Sequence, residues 1–463
     1  MARIGAGGEE WRAMDSSAMY DPTAHDDILR SARENIEKIR KRDVTLRLID
    51  REGMPLVGKT VEVVQKRHAF CFGDNLWGLD RAFREDQAGH DRWRYYKRHF
   101  AGLLNSATAL CYWTERPKND GAKTEDIQGE PQYDGFRYCV DWAMSEGLTV
   151  KGHPLFWSIN KCVPEWVKRY DYETQMKFAE VRVRTLVAGA RGRVKIWDIV
   201  NEALWEPTFR NLPQRNWPHL EPPEAISEYI CEVLRWARDE DPDATYIVND
   251  YGLTGRQETA PETTGGTKVT SAFQRKRFLD LLDAMADRGA LPDAVGLQSH
   301  TGGWTDHALQ WEAYDDMAPG GLPIHITEFW AHTRHLEEAG VPQEEIDHLQ
   351  AEYVANFVTA AFGHPAVEAF FFWGIMGHAV RFSGKGSSHE KTPLYHRMVD
   401  LLHREWNTRQ TLTTDDQGVV TFRGFFGEYA LRQTLLSGQI TGTPFTVSAG
   451  QEGIHTLRID PRG

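Results

Sequence analysis

The sequence is poor in the features that mark several large function classes. Its five cysteines, Cys71, Cys111, Cys139, Cys162 and Cys231, are an odd number at wide spacing with no CxxC pair. That excludes a simple zinc ribbon and argues against a disulfide framework. There is no HExxH metal motif and no GxGxxG or GxxxxGK[ST] phosphate loop after a strand, so neither metal nor cofactor is expected. No stretch of about 18 apolar residues is present to span a membrane. Basic residues are in deficit, 54 Lys and Arg against 67 Asp and Glu for a formal charge of −13, which argues against nucleic acid or an anionic membrane as partner. The opening MARIGAGGEEWRAMDSS lacks the apolar core of a secretory signal. The sequence as given therefore predicts a cytoplasmic protein, or a secreted one if a leader has been removed. Oligomeric state is not legible.

What is abundant is tryptophan, 16 in 463 residues. An indole offers a flat apolar face and one N–H donor, the pair of contacts that a sugar ring's C–H face and hydroxyls can use.

The pattern along the chain predicts an α/β protein. Residues 1–25 are expected to lack fixed structure. A charged helix over 26–41 precedes an alternating stretch, VTLRLI at 44–49, a turn at 50–53 and a second alternation, TVEVV at 60–64. From residue 68 the texture changes to short apolar runs separated by amphipathic helices. The runs are AFCF (69–72), LTV (148–150), VKIW (194–197), TYIV (245–248), AVGL (294–297), PIHIT (323–327) and VEAFFF (367–372), with a weaker one near 103–107. The helices carry Ile226, Ile230, Val233, Leu234 and Ala237, then Phe278, Leu281, Leu282 and Met285, then Ile346, Leu349, Tyr353 and Phe357, at a spacing of about 3.6. Eight strands alternating with helices predict a (β/α)8 TIM barrel; an open doubly wound sheet is the runner-up and lacks its phosphate loop. Past Trp406 the texture returns to short strands and glycine-rich turns. The expected division is 26–66 as an N-terminal helix and β segment, 67–405 as the barrel and 406–463 as a C-terminal β module. The two end segments have too few apolar residues to fold separately, so they are expected to pair into one small accessory β module.

Functional groups of such barrels stand at the C-terminal strand ends. Those ends read GDNLW (73–77), GHPLFW (152–157), WDIVNE (197–202), NDY (249–251), QSH (298–300), TE (327–328) and WG (373–374). Each holds a carboxylate, amide, imidazole or indole. Glu202 and Glu328 follow apolar strands on opposite sides of the barrel and can face one cleft. One carboxyl protonating a leaving oxygen and another attacking the anomeric carbon is the arrangement of glycoside hydrolysis. Tyr251 and Asn75 are candidates for sugar contact, although an Asp74-Asn75 turn role competes for the latter. His332 and His335 read as loop residues that could line the cleft.

At this point WDIVNEA (197–203), GHPLFW (152–157), GLQSH (296–300) and IHITE (324–328) resemble the signature blocks of family-10 glycoside hydrolases, the retaining endo-β-1,4-xylanases. The resemblance covers about residues 40–460, and the flanks at 44–70 and 418–429 are similar to the β segments of plant-type members. It implies Glu202 as general acid/base, holding a proton with a second carboxylate beside it. It implies Glu328 as the ionised nucleophile, with the carboxyls roughly 5–5.5 Å apart. Asn201 would bond the 2-hydroxyl of the sugar being cleaved. His153 and Gln298 would bind hydroxyls of that sugar or the nucleophile, His300 would orient Glu328, and Trp157 and Trp373 would stack on the ring. The implied partner is a β-linked oligosaccharide or polysaccharide, most simply xylan or xylo-oligosaccharides. One block departs: where the family carries a Glu-Asn-Glu run and a Lys on its second strand, this chain has Ser106, Ala107, Thr108 and Leu110. Each lost charged contact to the neighbouring sugar costs about 1–3 kcal/mol. A β-glycosidase of the same mechanism on another glycan, and a carbohydrate-binding protein without turnover, are the alternatives.

Overall fold

The computed structural model describes residues 26–115, 123–125, 129–159, 162–204, 220–255, 261–300, 304–383, 388–434, 440–450 and 453–459. Residues 1–25 lie outside this set.

Eight parallel strands close into a barrel. In chain order they are β1 Cys71–Asn75, β2 Ser106–Leu110, β3 Thr149–His153, β4 Val194–Asn201, β5 Thr245–Asp250, β6 Ala294–Leu297, β7 Ile324–Phe329 and β8 Val367–Phe372. Each pairs in parallel with its sequence neighbours, and β8 pairs with β1 to complete the ring. The second strand starts a few residues later than expected. Leu103 and Leu104, which supplied half of that apolar run, end and cap the helix Asp91–Leu103.

The outer helices form where caps and apolar faces coincide. Asp171 and Thr270 cap helices Tyr172–Ala190 and Ser271–Asp287, their side-chain oxygens accepting from the Thr174 and Phe273 N–H groups at 2.9 and 3.1 Å. Pro223 opens the helix Pro223–Glu240, whose Ile226, Ile230, Val233, Leu234 and Ala237 are all buried. These faces pack on the outward side chains of the strands. Inside, Ile196, Ile247, Ala294, Ala369 and Phe371 fill the ring.

Both chain ends build the accessory module. Lys41–Ile49 pairs antiparallel with Val419–Phe425 and parallel with Ile454–Arg458. Thr60–His68 lies between Arg409–Thr413 and Gly427–Thr434, and the latter pairs with Ile440–Val447. Val44, Leu46, Leu48, Val61, Val63, Val420, Phe422, Tyr429 and Leu431 make a core of their own. Arg40 ties this module to the barrel, donating to the carbonyls of Phe362, His364 and Val367 at 2.8, 2.9 and 2.5 Å. Among the described residues no helix is long and apolar enough to cross a membrane.

The barrel wall is packed tightly enough to test. A Cβ on Gly152 of β3 would lie 2.2 Å from the fully buried Trp197 ring on β4. Gly152→Ala is expected to destabilise the fold by about 1–3 kcal/mol through overpacking, read as a lower urea midpoint; an unchanged midpoint would show that the wall yields.

Candidate active site

The two glutamates stand at irregular points of their strands. In the β4–β5 pairing the register shifts between Asp198 and Val200, and in β7–β8 between Ile326 and Phe329. A regular strand sends successive side chains to opposite faces, and a bulge re-aims them. The consequence at β7 is that two consecutive residues reach the same amide. Thr327 Oγ1 donates to Asn249 Oδ1 at 2.6 Å, and Glu328 Oε1 accepts from Asn249 Nδ2 at 2.8 Å. Glu202 and Ser299 adopt left-handed backbone, φ 59° and 56°, a conformation that costs a residue with a Cβ of the order of 1 kcal/mol or more and is concentrated at functional sites. The Glu202 N–H is held by the Asn249 carbonyl at 2.8 Å.

A chain of amides joins the two carboxyls. Gln298 Nε2 donates to Glu202 Oε1 at 3.0 Å and to Asn201 Oδ1 at 3.2 Å. Asn249 Nδ2 donates to the same Asn201 oxygen at 2.8 Å and to Glu328. Asn201 Oδ1 therefore takes two donors, which fixes its amide with the NH2 free to donate. Gly296 makes room for this junction: a Cβ there would fall 2.4 Å from Asn249 Oδ1.

Glu328 is 4% exposed and surrounded by basic groups. His300 Nε2 lies 3.2 Å from its Oε2 and His153 Nε2 lies 3.9 Å from its Oε1. Burial pushes the carboxyl up, but the charge of His153, the hydrogen bond and charge of His300 and the charge of Lys151 outweigh it and bring it down to about 2. His153 is itself oriented by Asp198, whose Oδ2 is 2.6 Å from Nδ1.

The structure thus brings Glu202, Glu328, Asn201, Gln298, His300 and His153 into one cluster. Trp373 stands over it, edge-on to His153 at 5.2 Å and to His300 at 6.4 Å. Trp157 lies 5.7 Å from Tyr112, which is itself 5.6 Å from His153. Tyr251 is half-buried at the end of β5, its N–H on Asp250 Oδ1. Asn75 serves the turn: its side-chain carbonyl accepts from the Trp77 N–H at 3.1 Å. Beside it, Asp74 accepts from the Gly374 and Met376 N–H groups at 2.6 and 3.0 Å, pinning the turn that carries Trp373. His335 sits in the helix Arg334–Glu338 against Trp304, 5.2 Å away. Sequence reasoning missed Asn249 as the junction, and Lys151 and Asp198 beneath it. The signal for Asn249 was the glycine at 296 on the neighbouring strand.

The model of glycosyl hydrolase family 10 matches residues 117–398, which include both glutamates and begin after β2. The anti-sigma-I factor RsgI6 of Acetivibrio thermocellus is 27% identical over 409 residues, covering 87% of this chain and 46% of that protein. Endo-1,4-beta-xylanase 1 of Arabidopsis thaliana is 23% identical over 443 residues, covering 94% and 41%. Endo-1,4-beta-xylanase B of Thermotoga neapolitana is 26% identical over 313 residues, covering 66% and 76%. The chain spans less than half the length of the first two. Among solved structures, a family-10 endoxylanase from a sugarcane soil metagenome superimposes with TM-score 0.52 at 18% identity, covering 72% of this chain and 97% of that one. Xylanase 10B of Thermotoga petrophila in complex with xylobiose gives 0.51 at 23%, covering 73% and 95%. The fold is shared.

The Glu328 environment makes a stability prediction independent of any substrate. Its folded carboxyl lies below the ordinary value of 4.5, so its contacts stabilise the fold above about pH 4.5 and are lost as pH falls toward 2. Glu328→Gln is expected to be less stable at pH 6, by at most roughly 3 kcal/mol, with the gap closing on acidification. Urea midpoints from pH 6 to 2 measure it, and a gap that widens at low pH contradicts the assignment.

Proposed function

The chain belongs to glycosyl hydrolase family 10, and from that premise we propose that it hydrolyses β-1,4-linked xylan or xylo-oligosaccharides with retention of configuration. The observation that carries this reading is the amide chain Gln298–Asn201–Asn249, which holds Glu202 and Glu328 to one junction while His153, His300 and Lys151 hold the Glu328 carboxyl down. A carboxyl kept anionic and a second one at a half-buried position give the two unequal acids that double displacement needs.

In the first step a Glu328 oxygen attacks the anomeric carbon as Glu202 delivers its proton to the glycosidic oxygen, releasing the shortened chain. In the second, Glu202 takes a proton from water, whose oxygen displaces Glu328 from the anomeric carbon. The Asn201 NH2, its amide oriented by the donors on Oδ1, bonds the 2-hydroxyl in this reading, a contact that strengthens as charge develops on the ring. Gln298 holds the Glu202 oxygen, His300 and His153 hold Glu328 and its sugar, and Trp157 and Trp373 supply stacking faces. Two relatives named endo-1,4-beta-xylanase support the choice of xylan over other glycans.

Nuclear magnetic resonance of xylo-oligosaccharide hydrolysis is expected to show the β anomer first. Glu328→Gln should abolish turnover. Glu202→Ala should slow oligosaccharide cleavage about 10²–10⁴-fold yet spare the bond-breaking step for a dinitrophenyl β-xyloside, whose leaving group needs no proton. An α product, normal turnover in Glu328→Gln, or sugar binding without cleavage of xylan or any aryl β-glycoside would each overturn the reading.

A further inference from the structure

Below the mouth of the barrel lies an ion pair that this reaction scheme does not use. Lys151 on β3 and Asp198 on β4 are both fully buried, with Lys151 Nζ 2.7 Å from Asp198 Oδ2. The same Asp198 oxygen meets His153 Nδ1 at 2.6 Å, and the far side of that imidazole faces Glu328 at 3.9 Å. One ring is therefore set between two buried carboxylates. Asp198 Oδ1 has no hydrogen-bond partner among the described residues, so its charge is met on the Oδ2 side by Lys151 and His153. The lysine ammonium also lies 5.1 Å from the Phe371 ring centroid on β8, where the ring's negative face stands in for water.

The other titratable groups around this pair do not replace its positive charge. His325 on β7 is buried, and burial followed by the charge of Lys151 holds its imidazole down to about 4. Tyr112, beyond β2, is a buried phenol kept neutral by burial and by the charge of both glutamates. His300, at the end of β6, touches Glu328 from the solvent side. The Lys151 ammonium is a compact point charge set 2.7 Å from Asp198. Remove that charge, and Asp198 and Glu328 in one low-dielectric space call for another proton. Where it settles on Glu328, the attacking oxygen is lost as a nucleophile.

We propose that Lys151 is a positioning residue for the reaction: its buried ammonium balances Asp198, so that no further proton is drawn onto Glu328 and the nucleophile stays a free carboxylate. The inference rests on the retaining family-10 reading.

The test is the pH dependence of covalent trapping of the full chain by a dinitrophenyl 2-deoxy-2-fluoro-β-xyloside, whose leaving group departs without acid help, so the rate reports the nucleophile. Lys151→Gln keeps a polar side chain beside Asp198 and lacks the charge; Lys151→Arg keeps the charge. The acid limb of trapping is expected to move up by about one pH unit in Lys151→Gln and to follow wild type in Lys151→Arg. Asp198→Asn, which removes the anion instead, is expected not to raise it, and a raised limb there overturns the proposal even where Lys151→Gln does not fold. An unmoved limb in folded Lys151→Gln overturns this proposal alone. No trapping of the wild-type protein at any pH overturns it together with the retaining mechanism.

Discussion

The burial of Asp198 and Glu328 on either side of the His153 ring is the constraint on which the interior of this barrel depends. A barrel core is normally filled by branched apolar side chains, and an isolated carboxylate there would take up a proton rather than stay charged. The lower layer of the barrel obeys the rule, with Ile196, Ile247, Ala294, Ala369 and Phe371. Above it polar groups from β3, β4, β5, β7 and the end of β6 turn inward, and the ones around the two glutamates form a linked series. Lys151 answers Asp198, Asp198 orients His153, His153 and His300 face Glu328, and Asn249 ties Glu328 to Asn201 and Gln298. Cutting one member leaves a buried polar atom unsatisfied, which costs more than the bond itself gains. The network is a unit, and single substitutions in it are expected to be non-additive.

The backbone bends to serve that network. Glu202 and Ser299 hold left-handed conformations, and the shifts in β4 and β7 fall within a few residues of the two glutamates. In a regular strand Thr327 and Glu328 would face opposite sides. The irregularity lets both reach Asn249, so one amide is locked at its oxygen and its nitrogen by consecutive residues. Rigidity of this kind keeps a carboxyl in place before a substrate arrives.

Much of this was legible in the sequence, for physical reasons that also mark where it stopped. Helices with intact 3.6 spacing and short apolar runs between them locate the barrel strands, because both periods reflect burial. The accessory module follows from two end segments too poor in apolar residues to stand alone, and Val44, Leu46, Val420 and Phe422 do share one core. Glu202, Glu328 and Asn201 are visible because a polar residue directly after an apolar strand has few other places to go. Asn249 is not visible as the junction, since its role depends on a bulge in a different strand. Lys151 is hidden for another reason: a lysine inside a strand reads as a solvated side chain until the carboxylate on the neighbouring strand is known.

The wall opposite the amides follows a different principle. Leu110, Tyr112 and Cys162 form a buried apolar cluster with Trp157, Ile159 and Trp373 packed against it, and the part-exposed Trp77 extends it through Tyr112, 5.6 Å away. The family match begins beyond β2, the strand whose Ser106, Ala107, Thr108, Ala109 and Leu110 bring no charge to the cleft. Stacking on such a wall gives contact area with little orientation, whereas the amides of β4, β5 and β6 give orientation with little area. A ligand in this cleft would therefore meet directional bonds on one side and dispersion and desolvation on the other. Contacts that are equal in the ground and transition states change KM and not the chemical step. An apolar wall on β2 is thus compatible with the two glutamates, because the amides that orient them stand on β4, on β5 and at the end of β6.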